Sequence, residues 1–183
     1  MLLDRDGVIN IDHGYVGSIE RFDFRDGVFA LARRAVDLGY TLAVITNQSG
    51  IARNAYSESD FQLLSRWMGE QFERQGARIA CVLHCPYLYH ATVASYARDS
   101  FWRKPNPGMI LEAERILDLV LERSIFLGDQ TSDMAAAAAA GVGLRVLIRP
   151  SNESKAGLPV IPSDVLLIHH PDDLRARLTT AWT

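Results

Sequence analysis

At 183 residues the chain is the size of one domain, long enough to bury a sizeable core, and residues 1–183 are read as a single unit. Apolar residues make up 48% of it and charged residues 22%, with a formal net charge of −3, which excludes a disordered or fibrous chain. No lysine or arginine block would grip a nucleic-acid backbone, no run approaches the roughly 20 apolar residues of a membrane span, and no signal peptide precedes the first motif. Cys81 and Cys85 are too few for a secreted disulfide framework, so a reduced cytoplasmic protein is expected.

In chain order, Met1, Leu2 and Leu3 end a first strand that is short on its N-terminal side. Val28, Leu31, Ala35 and Leu38 keep helical spacing, and Gly39 follows as a stop. Residues 42–45 form an apolar run suited to a strand buried on both faces. Ser57 with Asp60 resembles a capping box, ahead of a helix that buries Phe61, Leu64, Met68 and Phe72. Residues 79–83 read as the next strand. Asn106-Pro107 opens another helix with proline at its first position, and residues 124–127 form a strand. Met134 and the alanine run make a closely packing helix that ends at Gly141, and residues 144–148 and 165–168 complete the sheet. Strands alternating with helices predict an α/β fold, a Rossmann-like three-layer domain with a central parallel sheet and no large cap domain.

Two segments break this rhythm. Residues 7–26 and 85–105 exceed the usual βα loop of about 2–6 residues. Both follow strands, so they gather at the C-terminal edge of the sheet, where open α/β folds bind ligands. Residues 151–162 read as a polar surface loop.

Asp4-Arg5-Asp6-Gly7 leaves the first strand directly. Two carboxylates at i and i+2 converge on one ligand if the chain turns there, and Gly7 permits the turn. One can serve as metal ligand and nucleophile while its neighbour holds a proton for a leaving group. A solvated turn is the alternative for such a tetrapeptide in isolation. Thr46-Asn47-Gln48-Ser49-Gly50 ends the second apolar strand with small donors and exposed amides suited to phosphate oxygens, or as a plain turn. Arg103-Lys104 supplies two positive charges before a helix, or a surface pair. Gly128-Asp129 follows the fourth strand, with Asp133 four residues on, where it would also favour a helix N-terminus. All four signals fall at the same sheet edge, and their joint pattern is far more specific than any one of them.

DxDG, then Thr after a strand, then Lys before a helix, then GDxxxD resembles the haloacid dehalogenase superfamily of phosphotransferases, over residues 4 to about 148. Within it, LDRDGVIN from Leu3, DHGYV from Asp12, TNQSGIAR from Thr46 and RKPxPGM from Arg103 resemble the D,D-heptose 1,7-bisphosphate phosphatases. Histidinol-phosphate phosphatases share DRDG, TNQ and RKP, but the Asp12-His13-Gly14-Tyr15 string favours the heptose branch. The resemblance implies a monomeric, Mg²⁺-dependent phosphomonoesterase acting on a small phosphorylated sugar in the synthesis of lipopolysaccharide or capsule precursors. It implies Asp4 as nucleophile and Asp6 as acid and base, with Mg²⁺ on Asp4, the Asp6 carbonyl and Asp129. Thr46, Arg103 and Lys104 would bind the transferring oxygens, and Asp133 would stand behind them, orienting Lys104 or the metal. Asp12, His13, Gly14 and Tyr15 would face the sugar, with Asn47, Gln48, Ser49 and Gln130 also on the substrate. Histidinol phosphate or another small sugar phosphate is the alternative substrate. A receiver-like phospho-binding module is the alternative of another class, disfavoured because nucleophile and proton carrier share one tetrapeptide.

The chain departs from that family in its third loop. The usual zinc ligands, Cys-x-His and then Cys-x-Cys, are here Cys85 with Tyr87, Ser100 and Trp102 in the other positions. One thiolate does not replace four ligands, so no zinc site is expected. Packing among Tyr87, Tyr89, Tyr96, Phe101 and Trp102 is expected to hold the loop instead. Gln130 stands where the heptose enzymes often carry lysine.

Overall fold

The computed structural model describes residues 1–150 and 161–178, so most of the 151–162 loop lies outside the described residues. Six strands make one all-parallel sheet in the order β3-β2-β1-β4-β5-β6. They are β1 (Leu2–Leu3), β2 (Leu42–Asn47), β3 (Ile79–Cys85), β4 (Ile125–Gly128), β5 (Leu144–Ile148) and β6 (Val165–Ile168). Side chains alternate across the sheet. Leu3, Val44 and Leu127 therefore face one apolar cluster, while Leu2, Ala43, Ile45 and Phe126 face the other.

Helices cover both faces: α1 (Val28–Asp37), α2 (Ser49–Ala52), α3 (Glu58–Arg74), α4 (Gly108–Leu117), α5 (Thr131–Ala139) and α6 (Pro171–Arg175). The Ser57 hydroxyl accepts from the Asp60 amide at 3.1 Å, and the Asp60 carboxylate accepts from the Ser57 amide at 2.8 Å, the expected capping box. The same helix buries Phe61, Leu64, Met68 and Phe72, as its spacing requires. Pro107 is the N-cap of α4 and not its first helical residue, because the Pro107 carbonyl already accepts from Ile110 and Leu111. Among the described residues no helix is long and apolar enough to cross a membrane.

The chain leaves β1 toward β2 and β3, then returns to lay β4 on the other side of β1. That reversal opens a crevice beyond the C-terminal ends of β1 and β4, the place where such sheets bind ligands. Asp4 follows β1 and Asp129 follows β4, so topology alone brings them to one spot.

The two long loops are themselves ordered. In the first, Ile11 donates to Asp23 and Arg25 donates to the Ile9 carbonyl, and Val8, Ile9, Val16 and Phe22 are buried. In the third-strand loop, Tyr87 and Tyr96 pair at 6.2 Å and the Arg98 guanidinium sits 3.7 Å from the Tyr87 ring centre. The expected five-residue aromatic cluster is thus smaller: Phe101 and Tyr89 are exposed at 59% and 63%. Cys85 is buried in the apolar cluster with Ile45, Met109 and Phe126.

Ser57→Ala removes the hydroxyl that caps α3. Urea denaturation should show a loss of about 1 kcal/mol.

Candidate active site

Lys104 sits at the base of the crevice, 3% exposed. Its ammonium donates to the Ile45 carbonyl at 2.9 Å and forms ion pairs with Asp133 Oδ1 at 2.7 Å and Asp4 Oδ2 at 3.0 Å. A reciprocal tether fixes its backbone: Asn47 Oδ1 accepts from the Lys104 amide at 3.1 Å, and Asn47 Nδ2 donates to the Lys104 carbonyl at 3.0 Å. Burial pulls against the Lys104 charge, but Asp133 and Asp4 outweigh it and hold the ammonium above its ordinary pKa.

Asp4 is 7% exposed, and its Oδ1 accepts from the Arg5 amide at 2.7 Å. Burial pushes its carboxyl well above the usual carboxylate range; Lys104 opposes this, while Asp133, Asp129 and Asp6 reinforce it. Asp129 is pushed up to about 7, first by burial and then by the charge of Asp133. Carboxylate oxygens of Asp4, Asp129 and Asp133 lie within 4.8 Å of one another. Three carboxylates meet one ammonium, a surplus of two negative charges, and an all-oxygen donor set suits a hard divalent cation.

Two glycines allow this crowding. Gly7 has φ +78°, and a Cβ there would lie 2.2 Å from Asp129 Oδ2; a Cβ on Gly128 would lie 2.5 Å from the Asp133 side chain. Asp133 Oδ2 accepts the amides of Asp129 and Gln130 at 3.1 and 2.9 Å, so it shapes the loop that presents Asp129.

Asp6 is held from several sides. Its Oδ1 accepts from Asn10 Nδ2 at 3.1 Å and from Arg5 Nε at 3.2 Å, and its Oδ2 accepts from Gln48 Nε2 and Arg5 Nη2, both at 2.9 Å. Arg5, between the two aspartates, is fully buried, and its Nη2 also donates to the Val16 carbonyl at 2.7 Å.

These groups floor a cleft of about 420 Å³. Of the residues expected on the substrate, Asp12, Gly14, Tyr15, Asn47, Ser49 and Gln130 line it. Four expected residues stand elsewhere. Thr46 and Gln48 are buried below the wall, where Gln48 Nε2 donates to Thr46 Oγ1 at 2.9 Å. His13 Nε2 pairs with Asp23 at 2.7 Å, and Arg103 Nη1 donates to the Tyr87 carbonyl at 3.2 Å. Sequence reasoning missed Arg5, Asn10, Tyr56 and Ser132. Asn10 lies within the quoted LDRDGVIN string, whereas Tyr56 belongs to no motif and becomes visible only through its contacts.

A sequence profile of HAD-hydrolase-like proteins matches residues 101–159. The D-glycero-alpha-D-manno-heptose-1,7-bisphosphate 7-phosphatase of Burkholderia mallei is 45% identical over 179 residues, covering 98% of this chain and 93% of its own. The D-glycero-beta-D-manno-heptose-1,7-bisphosphate 7-phosphatase of Vibrio cholerae is 40% identical, covering 90% of each chain. The crystal structure of D,D-heptose 1.7-bisphosphate phosphatase from B. bronchiseptica, complexed with magnesium and phosphate, matches with a TM-score of 0.80 at 26% identity, over 97% of this chain and 96% of that one. Fold and site thus define a HAD-like phosphatase, a hydrolase of phosphoric monoesters. Within that class the chain belongs to the D-glycero-D-manno-heptose-1,7-bisphosphate 7-phosphatase family.

Lys104→Met leaves Asp4, Asp133 and the Ile45 carbonyl without their shared donor. In a metal-free buffer, urea denaturation should report a loss of about 3–5 kcal/mol, the cost of breaking a buried ion pair from one side.

Proposed function

We propose that the chain removes the 7-phosphate of D-glycero-D-manno-heptose 1,7-bisphosphate, in nucleotide-heptose synthesis, through a phosphoryl group carried on Asp4. One observation carries this reading: Asp4, paired with buried Lys104, shares the crevice between β1 and β4 with Asp129, Asp133 and Asp6. The donor set fits Mg²⁺, which Asp4, Asp129 and the Asp6 carbonyl would hold, as the charge surplus requires. Bound there, the ion supplies positive charge that lets an anionic nucleophile approach an anionic phosphate.

The chain's own residues do the rest. An Asp4 carboxylate oxygen attacks phosphorus in line, forming an O–P bond as the bond to the sugar oxygen breaks. Asp6, protonated, gives its proton to that leaving oxygen. Lys104 holds Asp4 in its attacking position and steadies the charge. Water then attacks phosphorus, Asp6 takes its proton back, and the bond to Asp4 breaks to free inorganic phosphate. Asp12, Gly14, Tyr15 and Gln130 form the wall available to the sugar. Arg103 and His13 are engaged with other protein groups, so their roles are to shape the loops.

Asp4→Asn should abolish phosphate release from both α- and β-heptose 1,7-bisphosphate, because an amide is a poor nucleophile; near-normal turnover would rule the mechanism out. With the native chain, preference for histidinol phosphate over both anomers would reassign the substrate.

The Asp129 shift gives a second test. Its folded pKa of about 7 lies above the ordinary aspartate value of 3.8. The stability it contributes is therefore present below about 3.8 and lost as pH rises through about 7 in the metal-free protein. A cation on Asp129 reverses that loss but must first displace the proton at lower pH. Thermal melts should show a larger Tm gain from the same Mg²⁺ concentration at about pH 8 than at about pH 6. Equal gains would remove Asp129 from the ligand set.

A further inference from the structure

Tyr56 occupies a seat that two glycines make. A Cβ on Gly17 or on Gly50 would fall 2.3 Å from its ring, so the ring lies flush against the first long loop and against α2. From that seat its hydroxyl donates to Gln48 Oε1. Burial pushes the phenol up to about 12, so the group keeps its proton and stays a donor.

Gln48 is 1% exposed, and each end of its amide is committed. Nε2 donates at 2.9 Å to Asp6 Oδ2 and at 2.9 Å to Thr46 Oγ1, while Oε1 accepts from Tyr56. The polarity of this chain follows from its end groups. Nε2 faces the Asp6 carboxyl group, and the buried Oε1 then requires a donor on its other side. We propose that Tyr56 is a positioning residue for phosphoryl transfer: its hydroxyl anchors the far end of the Gln48 amide, which in turn holds the Asp6 carboxyl group at the cleft. The inference rests on the proton-carrying role of Asp6 proposed above.

Without the hydroxyl, Oε1 loses its buried donor and the amide is held at its Nε2 end alone. Free to swing at the other end, it no longer fixes the carboxyl group on the line of proton transfer. Such freedom matters for a poor leaving group, a sugar alkoxide that must be protonated as it departs. It matters little for p-nitrophenolate, which leaves without help.

Tyr56→Phe keeps the ring in its seat and removes only the hydroxyl. In that variant kcat/KM for heptose 1,7-bisphosphate should fall about tenfold, while kcat/KM for p-nitrophenyl phosphate stays within about twofold. Unchanged values for both substrates, or equal losses for both, would overturn the inference. Because Tyr56 acts through Gln48, adding Tyr56→Phe to Gln48→Leu should cost nothing further, whereas multiplying losses would show an independent role. Asp6→Asn separates the two readings. Disabled turnover of the bisphosphate in Asp6→Asn beside a normal Tyr56→Phe enzyme sinks the Tyr56 inference alone. Retained turnover in Asp6→Asn sinks the role of Asp6 and the inference with it.

Discussion

The buried ammonium of Lys104 organises this protein, because it can remain charged inside the sheet edge only where anionic and carbonyl oxygens already surround it. Those oxygens come from three places far apart in the chain: Asp4 after β1, Ile45 within β2 and Asp133 in the first turn of α5. Desolvating such a charge is costly unless every donor is matched. The arrangement therefore couples the folding of the sheet to the assembly of the site. The same coupling leaves Asp4 and Asp129 reluctant to ionise, with more negative charge than one lysine balances. Repulsion among carboxylates held this close is what a bound cation would relieve.

Local patterns identified most of the frame. The spacing of Phe61, Leu64, Met68 and Phe72 and the Ser57–Asp60 box depend on residues within one helix, and both are present. The strands read from apolar runs pair in parallel, and helices cover both faces of the sheet, which is why the runs are apolar throughout and not alternating. Strand ends were less legible: β2 and β3 run on to Asn47 and Cys85, since pairing between the strands, not local hydrophobicity, decides where a ladder stops. The aromatic cluster expected to replace a zinc site failed for a similar reason. Aromatic content fixes neither direction nor burial, and Phe101 and Tyr89 point to solvent while Tyr87 finds Tyr96 and Arg98.

At the site, residues joined by sequence motifs were legible and residues joined by space were not. Asp4, Asp6, Lys104, Asp129 and Asp133 came from spacing and order; the carboxylates of Asp4, Asp129 and Asp133 meet around the Lys104 ammonium, and Asp6 lines the same cleft. Arg5 sits inside the Asp4-Arg5-Asp6-Gly7 motif without an assigned role, yet it is fully buried with two nitrogens on the Asp6 carboxylate. Thr46 and Gln48 were expected to touch substrate because they end a strand at the cleft. Thr46, in β2, and Gln48, just beyond it, are instead buried in the wall, where Gln48 donates to both Thr46 and Asp6.

This separates two parts of the cleft by their physics. The floor is buried and over-determined: each charged group there answers to several partners, so a change in one is felt by all. The rim is exposed and lightly held. Arg21 grips the carbonyls of His13, Gly14 and Tyr15 from solvent, and Arg53 rests 5.8 Å from the Tyr15 ring centre. Tyr15 holds a left-handed backbone at φ 49°, which costs free energy that those contacts must offset. Exposed contacts of this kind are individually weak, so the rim is the more adaptable part of the cleft. Tyr56 spans the two, since its ring packs against Gly17 of the rim loop and its hydroxyl reaches the amide that braces Asp6.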